Sequence, residues 1–205
     1  MKDRNRRHFV TQHMTTVVLV LMALITLIAV WSPLQALLEF DQQLVARGQW
    51  WRPFSAWLTQ LNLRHWVLNQ WGLVVMAVLL PSRLSKAHWS AFAIIWLFTS
   101  LALWRSEYER YVGLSGVLYG WLVYAAYVSP FYGRWVKSVF IALMSVKVLS
   151  ENGWFSLPGA DWVGEFIQAP VAHESHLWGL LSGLVVLSAQ WIAQRYRGKH
   201  EHLDW

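Results

Sequence analysis

Residues 111–129 read YVGLSGVLYGWLVYAAYVS and carry no charged side chain. The part from Ser115 to Ser129 is apolar, and Pro130 closes it. Read as a helix, its length is about 22 Å at ~1.5 Å per residue, short of the ~30 Å hydrocarbon core of a bilayer. Such a helix is expected to start below one membrane surface, with the loop ending at Leu114 dipping inward. Non-helical backbone at that depth is tolerated only against protein or a water-filled cavity. A serine at the mouth of the helix then sits among unpaired N–H groups and a dipole end that favours negative charge.

The rest of the chain fits a membrane setting. Of its 205 residues, 56% are hydrophobic and 14% charged, where a soluble domain carries about 25% charged residues. Six segments read as membrane helices: 15–31, 63–80, 87–104, 115–129, 135–149 and 171–195. Pro33, Pro81, Pro130 and Pro170 punctuate them. The basic start, Met1 to His8, leads into the first apolar run, which lacks a small-residue cleavage pattern and is read as a helix rather than a removed signal. The fold expected is all-α, a polytopic six-helix bundle in one domain, 1–205, with its core at about 13–196. The 16 Trp residues are explained by belts at the membrane interfaces. With no cysteine, disulfides and thiolate chemistry are excluded.

Orientation follows from Lys and Arg placement. With the N-terminus cytoplasmic, the inside segments hold Lys2, Arg4, Arg6, Arg7, Arg83, Lys86, Arg134, Lys137, Arg195, Arg197 and Lys199. The outside segments hold Arg47, Arg52, Arg64, Arg105 and Arg110, with Lys147 near the outer end of the fifth helix. Both termini are expected in the cytoplasm. The net charge of +6 then needs only anionic lipid headgroups as partners, and no nucleic acid.

This topology puts the starts of helices two, four and six on the outer side, where the polar residues gather. Ser115 lies in Gly113-Leu114-Ser115-Gly116, a string that by itself is equally a helix-packing motif. His176 is an imidazole inside a membrane helix, a functional candidate by default, with interhelical hydrogen bonding as the plainer alternative. Gly116 and Gly120 on helix four, and Gly179 and Gly183 on helix six, are spaced to let two backbones approach closely. A serine and its base must come within about 3 Å. Tyr119, one turn below Ser115, can pack on the His176 ring or serve ordinary packing. His65 and Asn69 share one face of helix two and can form an oxyanion hole with the Ser115 N–H, or be structural polar groups. His173 competes with His176 as base but lies nearer the surface. A metal site would need more ligands than His173 and Glu174 near this level, so no metal or other cofactor is expected. Lys147 and Glu151, four residues apart, read as a local ion pair.

Together these residues resemble the rhomboid family. Trp51-Arg52 matches its WR signature, His65 with Asn69 its HxxxN element, Gly113 to Tyr119 its GxSGxxxY element, and His176, Gly179 and Gly183 its HxxGxxxG element. The likeness covers roughly residues 45–190. It implies a six-helix core, a Ser115–His176 dyad without an acid third member, and a membrane-lying outer structure over 34–62. Ala56 and Gln60 stand where many relatives carry further histidines, which leaves oxyanion support to His65 and Asn69. A narrower resemblance, to the rhombosortase branch, rests on residues 111–118, the Lys147 and Glu151 pair, and residues 172–176.

The resemblance implies an intramembrane serine endopeptidase acting on membrane-anchored proteins. For the branch, the substrates are C-terminal Gly-Gly tails of exported proteins. The setting implied is a bacterial inner membrane, with the site opening to the periplasm. The competing reading is a non-catalytic relative that binds membrane helices as a chaperone or escort. A small transporter is disfavoured by the lack of a repeat or a helix broken at mid-membrane.

Overall fold

A computed structural model of the chain describes residues 13–156 and 162–200. Lys2, Arg4, Arg6 and Arg7 lie outside them, as do the side chains of Arg197 and Lys199, so that part of the charge reading falls beyond the described residues.

Six long helices carry the fold: α1 (Met14–Ile28), α5 (Leu63–Leu79), α6 (Lys86–Trp104), α7 (Ser115–Val128), α8 (Arg134–Glu151) and α10 (His173–His200). Between α1 and α5 run the short helices α2 (Ser32–Leu38), α3 (Gln42–Ala46) and α4 (Arg52–Ser55), then a 3-10 turn, Ala56–Leu58. α9 (Trp162–Ile167) precedes α10. Strand β1 (Phe40–Asp41) pairs antiparallel with β2 (Arg110–Tyr111), Phe40 opposite Tyr111.

The helices begin within a few residues of the expected positions, with one clear difference. α1 stops at Ile28, and the chain bends by 105° into α2, which carries Pro33 in its first turn. By length and composition, Lys86–Trp104 and His173–Ala193 can each cross a membrane, and the bent pair α1 and α2 adds a third. α5 is short at 17 residues and holds His65, Asn69 and Gln70. α8 carries Arg134, Lys137, Lys147 and Glu151. α5 thus falls short by length, and α8 by its four charged side chains.

α7 is the axis of the bundle. It is apolar on every face, as a helix enclosed by others must be, and every residue from Gly120 to Ala126 is buried. The outward faces of its neighbours are apolar too: Val20, Leu21 and Leu24 on α1, Ile94, Leu97 and Leu101 on α6, Leu181 and Val185 on α10. A water-soluble monomer does not expose apolar surface on this scale.

The tryptophans divide into two groups. Trp31, Trp104, Trp135 and Trp154 are exposed at or just beyond helix ends, as interfacial belts require. Others act as internal fasteners, since a buried indole N–H needs an acceptor. Trp57 donates to Ser100 Oγ at 2.8 Å, Trp121 to the Phe92 carbonyl at 3.1 Å and Trp66 to the Ala23 carbonyl at 3.2 Å. The belts alone therefore do not explain the tryptophan content.

Candidate active site

Ser115 is the first residue of α7, and the loop before it is held from several sides. The β1–β2 pair fixes Tyr111. The Tyr111 hydroxyl donates to the Gly113 carbonyl at 3.1 Å, and the Gly113 N–H donates to the Ala56 carbonyl at 3.1 Å. Gly113 has φ +139°, a conformation that disfavours side chains. A Cβ there would also lie 2.7 Å from the His65 ring. That glycine is thus required twice over, by backbone conformation and by the histidine beside it.

His176 sits in the first turns of α10, 5% exposed. Its Nε2 lies 3.0 Å from Ser115 Oγ. The Tyr119 ring stacks on the imidazole with centroids 4.4 Å apart and planes at 21°. Glycine packing makes this approach possible. A Cβ on Gly179 would fall 1.8 Å from the Gly116 carbonyl oxygen, and one on Gly120 2.6 Å from the Gly179 carbonyl oxygen. A Cβ on Gly183 would meet the Gly120 oxygen at 2.8 Å. The backbones of α7 and α10 occupy the space where side chains would be.

His65 and Asn69 come to the same place from α5. They line one cavity of about 750 Å³ together with Ser115, Tyr119, Lys147 and His176. Trp162, Val163 and Ile167 of α9 border it as well, with Glu39 and Arg110 among its lining residues. The Asn62 side chain caps α5 by accepting from the His65 N–H at 2.9 Å. His65 Nδ1 accepts from the Leu61 N–H at 3.4 Å, so in the neutral ring the proton resides on Nε2, the nitrogen left to donate.

The structure departs from the sequence reading at three residues. The first is Glu151. The expected dyad has no acid partner, yet Glu151 Oε2 lies 2.9 Å from His176 Nδ1. The same carboxylate pairs with Lys147. Spacing along α8 reveals only the Lys147 contact, because the histidine arrives from another helix. One signal was present: the fifth expected helix ends, near Glu151, at the end of the bundle where the sixth begins. The second is Gln60, read only as a missing histidine. It is fully buried, and its Oε1 accepts from Asn69 Nδ2 at 2.6 Å and from the Leu114 N–H at 3.4 Å. One Asn69 N–H is therefore already engaged. The third is His173. Its ring centroid is 6.3 Å from that of His176, and its buried Nδ1 has no hydrogen-bond partner among the described residues.

Glu151, His173 and His176 each offer a ligand atom, all within 4.8 Å of one another. The Lys147 ammonium already occupies the carboxylate, and its charge opposes a cation there.

A hydroxyl hydrogen-bonded to a buried imidazole beside a cavity is an arrangement that can support nucleophilic chemistry. The comparison with known families agrees at that level. A rhomboid domain model matches residues 47–191, and the chain belongs to the rhomboid family, whose members are generally intramembrane serine proteases acting on membrane-anchored substrates. No curated protein and no solved structure matches the chain.

Proposed function

We propose that this protein is an active intramembrane serine endopeptidase, with Ser115 as nucleophile and His176 as general base. The observation that carries the reading is the 3.0 Å contact between Ser115 Oγ and His176 Nε2 at the edge of the cavity. In the first step Oγ attacks the scissile carbonyl carbon, and its proton passes to Nε2. The oxyanion forms beside the His65 Nε2–H, the Ser115 N–H and the remaining Asn69 N–H. Collapse of the intermediate breaks the C–N bond, and Nε2 returns the proton to the leaving amine. Water then attacks the acyl ester with Nε2 again taking a proton, and Ser115 is regenerated.

The chain acts as one membrane domain, with six crossing helices and both termini in the cytoplasm of a bacterial inner membrane. The site then opens to the periplasm, consistent with the Lys and Arg placement. The substrates are membrane-anchored proteins cut at or near their membrane helix. C-terminal Gly-Gly tails of exported proteins are the class proposed, on the resemblance to the rhombosortase branch.

Fluorophosphonate labelling of the full chain in membranes tests the chemistry. Wild type is expected to form a covalent adduct, and Ser115→Ala and His176→Ala to form none. A wild-type chain that takes no probe and cuts no tail would instead be a helix-binding escort. Replacing the Gly-Gly pair of a tail substrate is expected to stop cleavage without affecting the labelling.

A further inference from the structure

Glu151 is the last residue of α8, and its side chain is only 4% exposed. A buried carboxylate is costly unless its oxygens are satisfied. An ion pair within one helix is worth little and does not need burial. Here one oxygen faces Lys147 and the other faces His176 Nδ1 at 2.9 Å. The local pair explains the first contact and leaves the second, inter-helix contact without a reason.

We infer that Glu151 is a positioning residue for the base, so that Ser115, His176 and Glu151 work as a triad. This rests on the serine-protease reading above. The imidazole must present an unprotonated nitrogen to the serine. A carboxylate at Nδ1 keeps the proton on that nitrogen and leaves the Nε2 lone pair facing Oγ. The Tyr119 stack fixes the plane of the ring, but a half-turn about Cβ–Cγ keeps that plane and exchanges the two ring edges. The carboxylate at Nδ1 selects one of the two orientations. When Nε2 takes the serine proton, the positive imidazolium lies beside the negative carboxylate, which stays ionised throughout. Lys147 holds the carboxylate from the other side, with its ammonium 5.6 Å from the centre of the Tyr119 ring.

The neighbouring residue sets the distance. Asn152 Nδ2 donates to the His173 carbonyl at 3.1 Å and to the Val148 carbonyl at 2.9 Å. This ties the end of α8 to the start of α10, one turn or less from each partner of the Glu151–His176 contact. Three helices therefore converge on one hydrogen-bonded line: the hydroxyl from α7, the imidazole from α10, the carboxylate from α8.

The test is the rate of fluorophosphonate labelling of the full chain as a function of probe concentration, with melting temperature measured alongside. Glu151→Gln keeps the shape and removes the charge. Its maximal labelling rate is expected to fall by about 10²–10⁴, with the half-saturating probe concentration and the melting temperature close to wild type. Because Glu151→Gln leaves Lys147 without its anion, the double variant Lys147→Met with Glu151→Gln provides a second case without an orphaned charge, and is expected to be equally slow. Lys147→Met alone is expected to lose about tenfold or less. Wild-type labelling rates in Glu151→Gln or in the double variant would overturn the inference while leaving the Ser115–His176 reading intact. So would a Lys147→Met variant as slow as Glu151→Gln, or rate losses that follow a fall in melting temperature in both Glu151 variants. A wild-type chain that takes no probe removes the reading and the inference together.

Discussion

Two walls of the same cavity are built in different ways. On one side α7 and α10 meet backbone to backbone through Gly116, Gly120, Gly179 and Gly183, and Ser115, His176 and Glu151 form a continuous line of contacts. On the other side α5 presents His65 and Asn69 from ordinary helix positions. There His65 Nε2 has no hydrogen-bond partner among the described residues, while Asn69 is partly engaged by Gln60. The difference teaches that the proposed proton-transfer pair is set by backbone-to-backbone packing, whereas the proposed oxyanion wall rests on side-chain contacts. Rigid packing sets a distance that one methyl group can destroy. A side-chain wall loses function one donor at a time.

The sharpest way to break this contrast is at Gly179. A Cβ there lies 1.8 Å from a backbone oxygen of α7, which no rotamer change relieves. Gly179→Val is expected to lower cleavage by ~10² or more through displacement of the catalytic pair by about 1 Å. Overpacking of this kind costs roughly 1–3 kcal/mol, so the melting temperature falls too, but by less than the activity loss suggests. Gly72 is an imperfect control, because its Cβ would meet Leu118 Cδ2 at 2.3 Å. Gly133 has open space around it, and Gly133→Ala is expected to keep both activity and melting temperature. Parallel cleavage and melting curves decide the matter. Equal activity in the Gly179 and Gly133 variants would show that the glycines do not set the Ser115–His176 distance.

His65→Ala comes next and sharpens the other half of the contrast. It removes a free donor and is expected to cost about 10²–10³ in cleavage rate, the range for one oxyanion-hole group. Its melting temperature is expected to change little, since the ring makes one long bond to Leu61. Asn69→Ala is expected to cost less, about 10–10². Its amide already serves Gln60, and that glutamine also holds the Leu114 N–H. Gln60→Ala measured beside it separates the two roles: a similar loss in both would mean that Asn69 works mainly by holding the loop.

What the sequence could show depended on whether a feature repeats along one helix or arises between helices. The starts of α5, α7 and α10 were legible to within two residues from hydropathy breaks and proline positions. The Gly116, Gly120, Gly179 and Gly183 spacing signalled the close helix pair that α7 and α10 form. The bend of 105° after Ile28 was hidden, because the apolar run continues to Trp31 and Pro33 is compatible with either a stop or a turn. Glu151 was hidden for a different reason. Its i−4 neighbour Lys147 gives a sufficient local explanation, and a contact with a histidine 25 residues later leaves no periodicity. Gln60 was read for what it replaces, while its contacts with Asn69 and Leu114 depend on the turn that brings residue 60 beneath α5.

The smallest effect expected is at His173, and it tests which histidine belongs to the rigid wall. His173 stands one turn before His176 on α10, and its ring lies edge-on to the His176 ring at 6.3 Å. Its Nδ1 is buried without a partner among the described residues, a local cost that its removal relieves. The contact that ties α8 to α10 runs through the His173 carbonyl rather than its side chain, so alanine preserves it. His173→Ala is therefore expected to keep cleavage within a few-fold of wild type and to melt at the same temperature or slightly higher. A loss as large as that of His65→Ala would mean that the His173 ring takes part in proton transfer. The base would then be shared between two histidines, and the single hydrogen-bonded line from Ser115 to Glu151 would no longer describe the rigid wall.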